Sequence, residues 1–306
     1  VLALVAAADR PHVTFAEVPD PQPLPSEALV DVKAFSLNRG ESAGLASKAP
    51  GTLVGWDLAG TVAEAADDGS GPPAGTRVVG LKFPPGAWAQ RAAVPTSVLA
   101  ALPDGVSFEQ AACLPVAGLT ALRALEVCGF LLGKRVAITG ASGGVGRFAI
   151  QLARDAGAHV TAVARRPAGL TEVGAEEVVD HLAPEGEGFD AILDGVGGAT
   201  LGAAIQRVAA RGTVVSYAST VAEPVSYPAR ALFGQSPGAK VYGLLIFSEL
   251  QHTQSGASDL TRLAQRVATG HLDIHLSLQD SWREAGRAVQ ALLDGDVTGK
   301  AVLTVD

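Results

Sequence analysis

The stretch Gly140-Ala141-Ser142-Gly143-Gly144-Val145-Gly146 constrains this chain more than any other. Ahead of it, Arg135-Val136-Ala137-Ile138-Thr139 reads as a buried parallel strand; behind it, Val145, Phe148, Ala149, Leu152, Ala153 and Ala156 recur at helical spacing. A strand, a tight turn and an amphipathic helix therefore follow in order. Each glycine has its own steric reason: Gly140 permits the turn, Gly143 lets the main chain approach a phosphate without a Cβ, and Gly146 lets the helix pack close on the strand. Backbone amides at such a helix start, here those of Ser142, Gly143, Gly144 and Val145, suit a pyrophosphate, so the segment predicts a dinucleotide site.

The next strand, His159-Val160-Thr161-Ala162-Val163-Ala164, ends where the first ribose of a dinucleotide lies. An NAD site wants a carboxylate there. This chain has Ala164-Arg165-Arg166 instead, with no Asp or Glu before Glu172. Guanidinium forks pair with a 2′-phosphate that a carboxylate would repel, so NADPH is the expected cofactor, with Arg166 the first choice of ligand and Arg165 the second. The alternative is that the two arginines form only a solvated face. His181 follows a short strand, Glu177-Val178-Val179-Asp180, and either flanks the adenine or phosphate or is an exposed loop histidine.

The composition narrows the partners. A net charge of −8, with no basic run longer than Arg165-Arg166, argues against nucleic acid. The apolar opening Val1-Leu2-Ala3-Leu4-Val5-Ala6 is cut short by Asp9-Arg10-Pro11, so it reads as a strand of a cytoplasmic protein rather than a membrane span. Cys113 and Cys128 are too few for a disulfide framework or a zinc cluster and are expected to be buried free thiols. The lack of any methionine reads as an initiator that was removed or that lies outside this sequence.

Up to about residue 110 the chain is rich in short strand signals broken by Pro and Gly, at 13–15, 28–34, 60–63 and 76–80. Helical patterning runs from Phe108 to Leu132. Strands and helices then alternate over 135–139, 145–156, 159–164, 177–180, 190–194, 200–209, 212–217 and 240–246, which predicts an α/β fold with a doubly wound parallel sheet. Helical stretches at Ser258–Ala268 and Ser281–Leu293 and a last strand, Lys300–Val305, either close that sheet or return to the first domain.

Taken together, these features resemble the medium-chain dehydrogenase/reductase superfamily, in particular its zinc-free quinone oxidoreductase (zeta-crystallin-like) branch. The resemblance rests on Ala34-Phe35-Ser36-Leu37-Asn38, Gly55-Trp56-Asp57-Leu58-Ala59-Gly60, Leu102–Ala112, Leu114-Pro115-Val116-Ala117-Gly118-Leu119-Thr120-Ala121, the glycine loop and Thr298–Leu303. It implies a Rossmann domain inserted in a GroES-like β-rich domain, with residues 1–112 as the first part of the catalytic domain, 113–250 as the NADP(H)-binding domain and 251–306 as the return. In the zinc enzymes of the superfamily a Gly-His-Glu motif stands where this chain has Gly55-Trp56-Asp57, and the catalytic cysteine region here reads Leu37-Asn38-Arg39-Gly40-Glu41, so no metal is expected.

The same resemblance places Asn38 beside the nicotinamide, makes Thr120 a contact to the nicotinamide side and puts Lys300 near the cofactor; Arg39 is left to stabilise an enolate, to bind an acidic substrate or to pair with Glu41 or Asp57. Gly195-Val196-Gly197, Ala218-Ser219-Thr220 and Leu245-Ile246-Phe247 follow successive strands and are expected to line the ribose and nicotinamide. A homodimer paired through Val241–Leu245 is a further implication.

Without a Lewis acid, a conjugated acceptor is easier to reduce than a simple ketone, because the developing charge is delocalised. The expected substrate is a small-molecule quinone or α,β-unsaturated carbonyl. Two alternatives stand beside it. One is a reductive tailoring or cyclising enzyme acting on an enoyl or polyene natural product, in which Phe35, Trp56, Phe83, Trp88 and Phe247 form an apolar pocket. The other is a non-catalytic NADPH-binding redox sensor. An enoyl-thioester reductase would be expected to present a tyrosine from the first domain, whereas Tyr217, Tyr227 and Tyr242 all lie in the cofactor half.

Overall fold

In the computed structural model, which describes residues 1–306, the apolar opening run forms strand β1 (Leu2–Ala6), paired antiparallel with β2 (Val13–Glu17) so that Leu4 faces Phe15. Five more strands follow: β3 (Glu27–Leu37), β4 (Asp57–Glu64), β5 (Arg77–Leu81), β6 (Arg91–Pro95) and β7 (Leu99–Ala101). Between β3 and β4 lies a short helix, α1 (Arg39–Gly44), and after β7 come α2 (Phe108–Ala112) and α3 (Pro115–Cys128). Ser107 caps α2, its hydroxyl accepting the Gln110 amide while Gln110 Oε1 accepts the Ser107 amide.

From Arg135 the chain alternates: β8 (Arg135–Thr139), α4 (Gly144–Asp155), β9 (His159–Val163), β10 (Glu177–Val179), β11 (Phe189–Asp194), α5 (Gly198–Arg207), β12 (Val208–Ser216) and β13 (Lys240–Gly243). The tail holds α6 (Ile246–Thr253), α7 (Gly256–Ala268), β14 (Leu276–Ser281), α8 (Ala285–Asp294) and β15 (Lys300–Thr304). The chain divides into two compact units, Val1–Leu119 with Leu250–Asp306, and Thr120–Glu249. The first division thus falls inside α3. No helix is long and apolar enough to cross a membrane.

The first unit is a mostly antiparallel sheet ordered β14-β15-β3-β4-β5-β7, with β6 also on β3; β14 and β15 run parallel. Strand β15 lies antiparallel to β3 with Ala301 opposite Leu37, which puts Lys300 next to the end of β3. Phe35 and Trp88 are wholly buried and stack with ring centroids 5.4 Å apart, and Phe15 meets Trp282 edge-on at 4.8 Å. Phe35 and Trp88 therefore fill the core instead of walling a substrate pocket, whereas Phe83 is exposed.

The second unit is a six-stranded parallel sheet in the order β10-β9-β8-β11-β12-β13. Strand order reverses between β8 and β11, and the carboxyl ends of strands at such a reversal are where open α/β sheets bind ligands. Alternation gives the elements expected, with one difference at the end. Strand β13 stops at Gly243, and Ile246 begins a helix whose buried Ile246 and Leu250 stand four residues apart, so the stretch 240–246 is not one strand.

Replacing Trp88 by Ala removes one of the two largest fully buried side chains of the first unit's core. We expect a loss of about 3–5 kcal/mol in urea unfolding; a loss below about 1 kcal/mol would show that this core does not depend on the Phe35–Trp88 stack.

Candidate active site

At the carboxyl end of β8 the glycine turn folds as its residues require. Gly140 sits at φ +62°, the Gly143 amide donates to Gly140 O at 3.0 Å, and Gly143 serves as the N-cap of α4 without any capping side chain. The steric demand at Gly146 comes from the turn itself: a Cβ there would lie 2.6 Å from Ala141 Cα and 2.7 Å from Gly140 O. The helix start thus offers amides that no side chain caps, beside a backbone that only glycines allow to close so tightly. This fits an anionic diphosphate.

A buried carboxylate organises the strand ends around that turn. Asp194, the last residue of β11, accepts from Thr139 Oγ1 at 2.6 Å and from the Gly197 amide at 2.9 Å, while Thr139 Oγ1 accepts the Gly195 amide at 3.1 Å. The ends of β8 and β11 are therefore tied through two side chains. Burial pushes the Asp194 carboxyl above the ordinary carboxylate range, and the bonds from Thr139 and the loop amides oppose that shift. Tyr217 completes the arrangement: its amide donates to Asp194 O at 3.0 Å, and a Cβ on Gly195 would meet its hydroxyl at 2.5 Å. Sequence reasoning passed over Thr139, Asp194 and Tyr217. The usable signal was a carboxylate placed directly before Gly195-Val196-Gly197.

The other expected cofactor residues are distributed unevenly. Gly195 and Val196 lie in the tied loop, where Val196 O accepts the Thr220 amide at 2.9 Å. Ala218 and Ser219 are exposed just beyond β12, and Ser219 Oγ donates to Val221 O at 2.5 Å. Arg165 and Arg166 are exposed at the end of β9. His181 is exposed with Nδ1 2.5 Å from the Asp180 carboxylate, a contact that lowers the Asp180 pKa. Leu245 is exposed, whereas Ile246, in the first turn of α6, is buried and has little surface to give a ligand; Phe247 follows it, half-buried. Thr120 is buried in α3.

In the first unit, Asn38 and Lys300 meet in a closed cluster of buried charge. Lys300 Nζ donates to Asn38 Oδ1 at 2.7 Å, Leu37 O at 3.2 Å and Asp57 Oδ2 at 3.4 Å. The Asn38 amide nitrogen donates to Asp57 Oδ2 at 2.8 Å and Glu41 Oε1 at 3.0 Å, so both of its hydrogens are committed to carboxyl oxygens. Asp57 is fully buried and is further satisfied by Ser36 Oγ at 2.6 Å and the Val116 amide at 2.9 Å. Glu41 accepts the Asn38 amide of α1's N-cap at 2.9 Å, while its Oε2 is buried with no partner. Burial, aided by the Asp57 charge and opposed by Lys300, raises the Glu41 pKa from 4.5 to about 8. Near neutral pH Glu41 is therefore held mainly as the carboxylic acid.

Arg39 does not join this cluster: it is exposed and donates to Leu292 O at 2.9 Å. It reaches neither Glu41 nor Asp57 as the sequence reading allowed. Cys113, also buried, donates its thiol to Glu109 O, and burial pushes its pKa up to about 12. No group of three or more His, Cys, Asp or Glu side chains converges to hold a metal ion. The side chains here are an amide, two carboxyl groups and an ammonium already bonded to Asn38 and Asp57, a set that does not suit zinc.

Two outcomes follow from the cluster. Between pH 4.5 and about 8 native Glu41 keeps a proton that the unfolded chain releases, so this group makes stability fall as pH rises through that window. Glu41→Gln should remove that slope, leaving the variant more stable than wild type at about pH 9 and similar near pH 4 by thermal melting; parallel profiles would contradict the protonated state. Lys300→Met, which strands the Asp57 charge, should cost about 3–5 kcal/mol in denaturant unfolding, and adding Asp57→Asn should recover part of it. Purely additive losses would mean that the two charges are not coupled.

Comparison with known proteins agrees with this architecture. Residues 169–303 match the zinc-binding dehydrogenase family model. A chloroplast envelope quinone oxidoreductase homolog of Arabidopsis thaliana is 36% identical over 197 residues, covering 59% of this chain and 59% of that protein, so the match spans about three fifths of the relative's length. The quinone oxidoreductase of Coxiella burnetii superposes with a TM-score of 0.85 at 29% identity, over 100% of this chain and 99% of that one. Escherichia coli quinone oxidoreductase complexed with NADPH shares the fold with a TM-score of 0.87 at 22% identity, over 99% of this chain and 100% of that one. The 3-2-1-4-5-6 parallel sheet, the glycine cradle and the likeness to a quinone oxidoreductase along its whole length are consistent with the quinone oxidoreductase branch of the medium-chain dehydrogenase/reductase superfamily.

Proposed function

We propose that the protein is an NADPH-dependent, metal-independent oxidoreductase that reduces a small-molecule quinone or α,β-unsaturated carbonyl. The observation that carries this reading is the pairing, within Thr120–Glu249, of an uncapped glycine cradle with two exposed arginines at the end of the next strand. The amides of Ser142, Gly144, Val145 and Gly146 would hold the pyrophosphate, with Gly143 letting it approach without a Cβ, and Arg166 and Arg165 the 2′-phosphate, with His181 nearby in sequence order. Gly195, Val196, Ala218 and Ser219, at the ends of β11 and β12, would line the ribose. When bound, the reduced nicotinamide supplies a hydride.

The first unit supports the choice of acceptor class. Its buried cluster is closed by Lys300 and has no opening for a Lewis acid, so a substrate that delocalises its own developing charge is favoured over a simple ketone. The homodimer belongs to the same proposal: β13 is an edge strand that exposes Val241 and Tyr242, a surface suited to pairing with its twin.

The test follows loss of reduced-nicotinamide absorbance with NADPH or NADH against quinones, enones and enoyl thioesters, with a chelator present. We expect chelator-resistant turnover of a quinone or enone with preference for NADPH, and a fall of about tenfold or more in that preference for Arg166→Ala, since charge-assisted hydrogen bonds are the strong ones. Tight NADPH binding without any turnover would favour a redox sensor. Turnover of enoyl thioesters alone would favour a tailoring reductase.

A further inference from the structure

The loop that presents Arg165 and Arg166 is held at both ends. On the strand side, the Ala164 amide donates to Val179 O of β10 at 2.9 Å. On the far side the anchor is Arg147, in the first turns of α4 just beyond the glycine cradle. This arginine is only 5% exposed, and its guanidinium donates to Ala168 O at 2.7 Å and Gly169 O at 3.4 Å. Gly169 has φ +73°, and a Cβ on it would stand 3.2 Å from Arg147 Nη1, so the close seat of the loop on the guanidinium needs glycine there. Leu170, which follows at once, is fully buried.

We infer that Arg147 is a positioning residue for cofactor choice: it fixes the carbonyls of Ala168 and Gly169 and thereby presets the short exposed segment carrying Arg165 and Arg166 for a 2′-phosphate. This rests on the reading that those two arginines take that phosphate. The physical reason is preorganisation. Long side chains that start from a mobile segment lose more freedom on meeting an anion than the same side chains on a segment already pinned at both ends. A buried planar fork is suited to the task because one guanidinium reaches two successive carbonyls, which an ammonium on a flexible stem does less well. Arg147 lies on the same helix whose start forms the cradle, so one rigid element sets both the diphosphate amides and the loop that reads the ribose.

The experiment titrates adenosine 2′,5′-bisphosphate and 5′-AMP, which differ in the 2′-phosphate alone, into wild type, Arg147→Lys and Gly169→Ala by calorimetry. The second variant crowds the guanidinium and strains the loop without removing any arginine. Thermal melts show which variants are folded. We expect wild type to prefer the bisphosphate and each folded variant to lose about tenfold of that preference while its affinity for 5′-AMP is kept. If wild type shows no preference, the NADPH reading itself fails and the inference with it. A wild-type preference retained in both folded variants would overturn the role of Arg147 and leave the NADPH reading standing. Equal weakening toward both nucleotides would also overturn it, since that is the signature of a merely structural residue.

Discussion

The buried ammonium of Lys300 is the constraint around which the first unit closes. An ammonium that is 3% exposed is tolerable only where acceptors surround it, and its acceptors come from the end of β3, from Asn38 and from the first residue of β4. The last strand can therefore sit in one place alone. The register that puts Ala301 opposite Leu37 is the one that brings the charge to its partners, and Ser36, Val116 and Asn38 use up the remaining capacity of Asp57. A unit assembled from both ends of the sequence is thereby given a polar lock in addition to its apolar core.

The second unit treats its polar groups in the opposite way. There the tie between Thr139 and Asp194 satisfies the groups behind the strand ends, while the helix start in front of them has no side-chain cap. Rigidity is supplied from behind and hydrogen-bonding capacity is left in front. An anion-binding site needs both: donors that no side chain caps, and a frame that does not collapse on them.

What the sequence made legible was what lies close together along the chain. The turn from Gly140 to Gly146, the strand before it and the helix after it are set by sterics and by a period of a few residues, and β8 has the very limits read from its apolar run. The parallel sheet followed from the alternation of strands and helices. Pairings across long separations were not legible: nothing near Asp57 announces Lys300, 243 positions away, and nothing near Arg147 announces that it grips the loop at Ala168. Arg39 shows the same limit. Its neighbours Glu41 and Asp57 looked like its natural partners, yet a backbone carbonyl of α8, brought close by folding, takes its guanidinium. At Ile246 a local pattern misled for a different reason, because a short apolar run of a strand and the first turn of a buried helix look alike until Gly243 is seen to end the strand.

The acid form of Glu41 has a consequence for the molecule in bulk. The formal count of −8 assigns every glutamate a full negative charge, but the folded protein at neutral pH withholds most of the charge of this one. The native protein should therefore migrate as a slightly less acidic species than its own unfolded chain. Unfolding near neutral pH should release close to one proton to the buffer, so the heat absorbed in calorimetry should vary with the ionisation enthalpy of the buffer chosen.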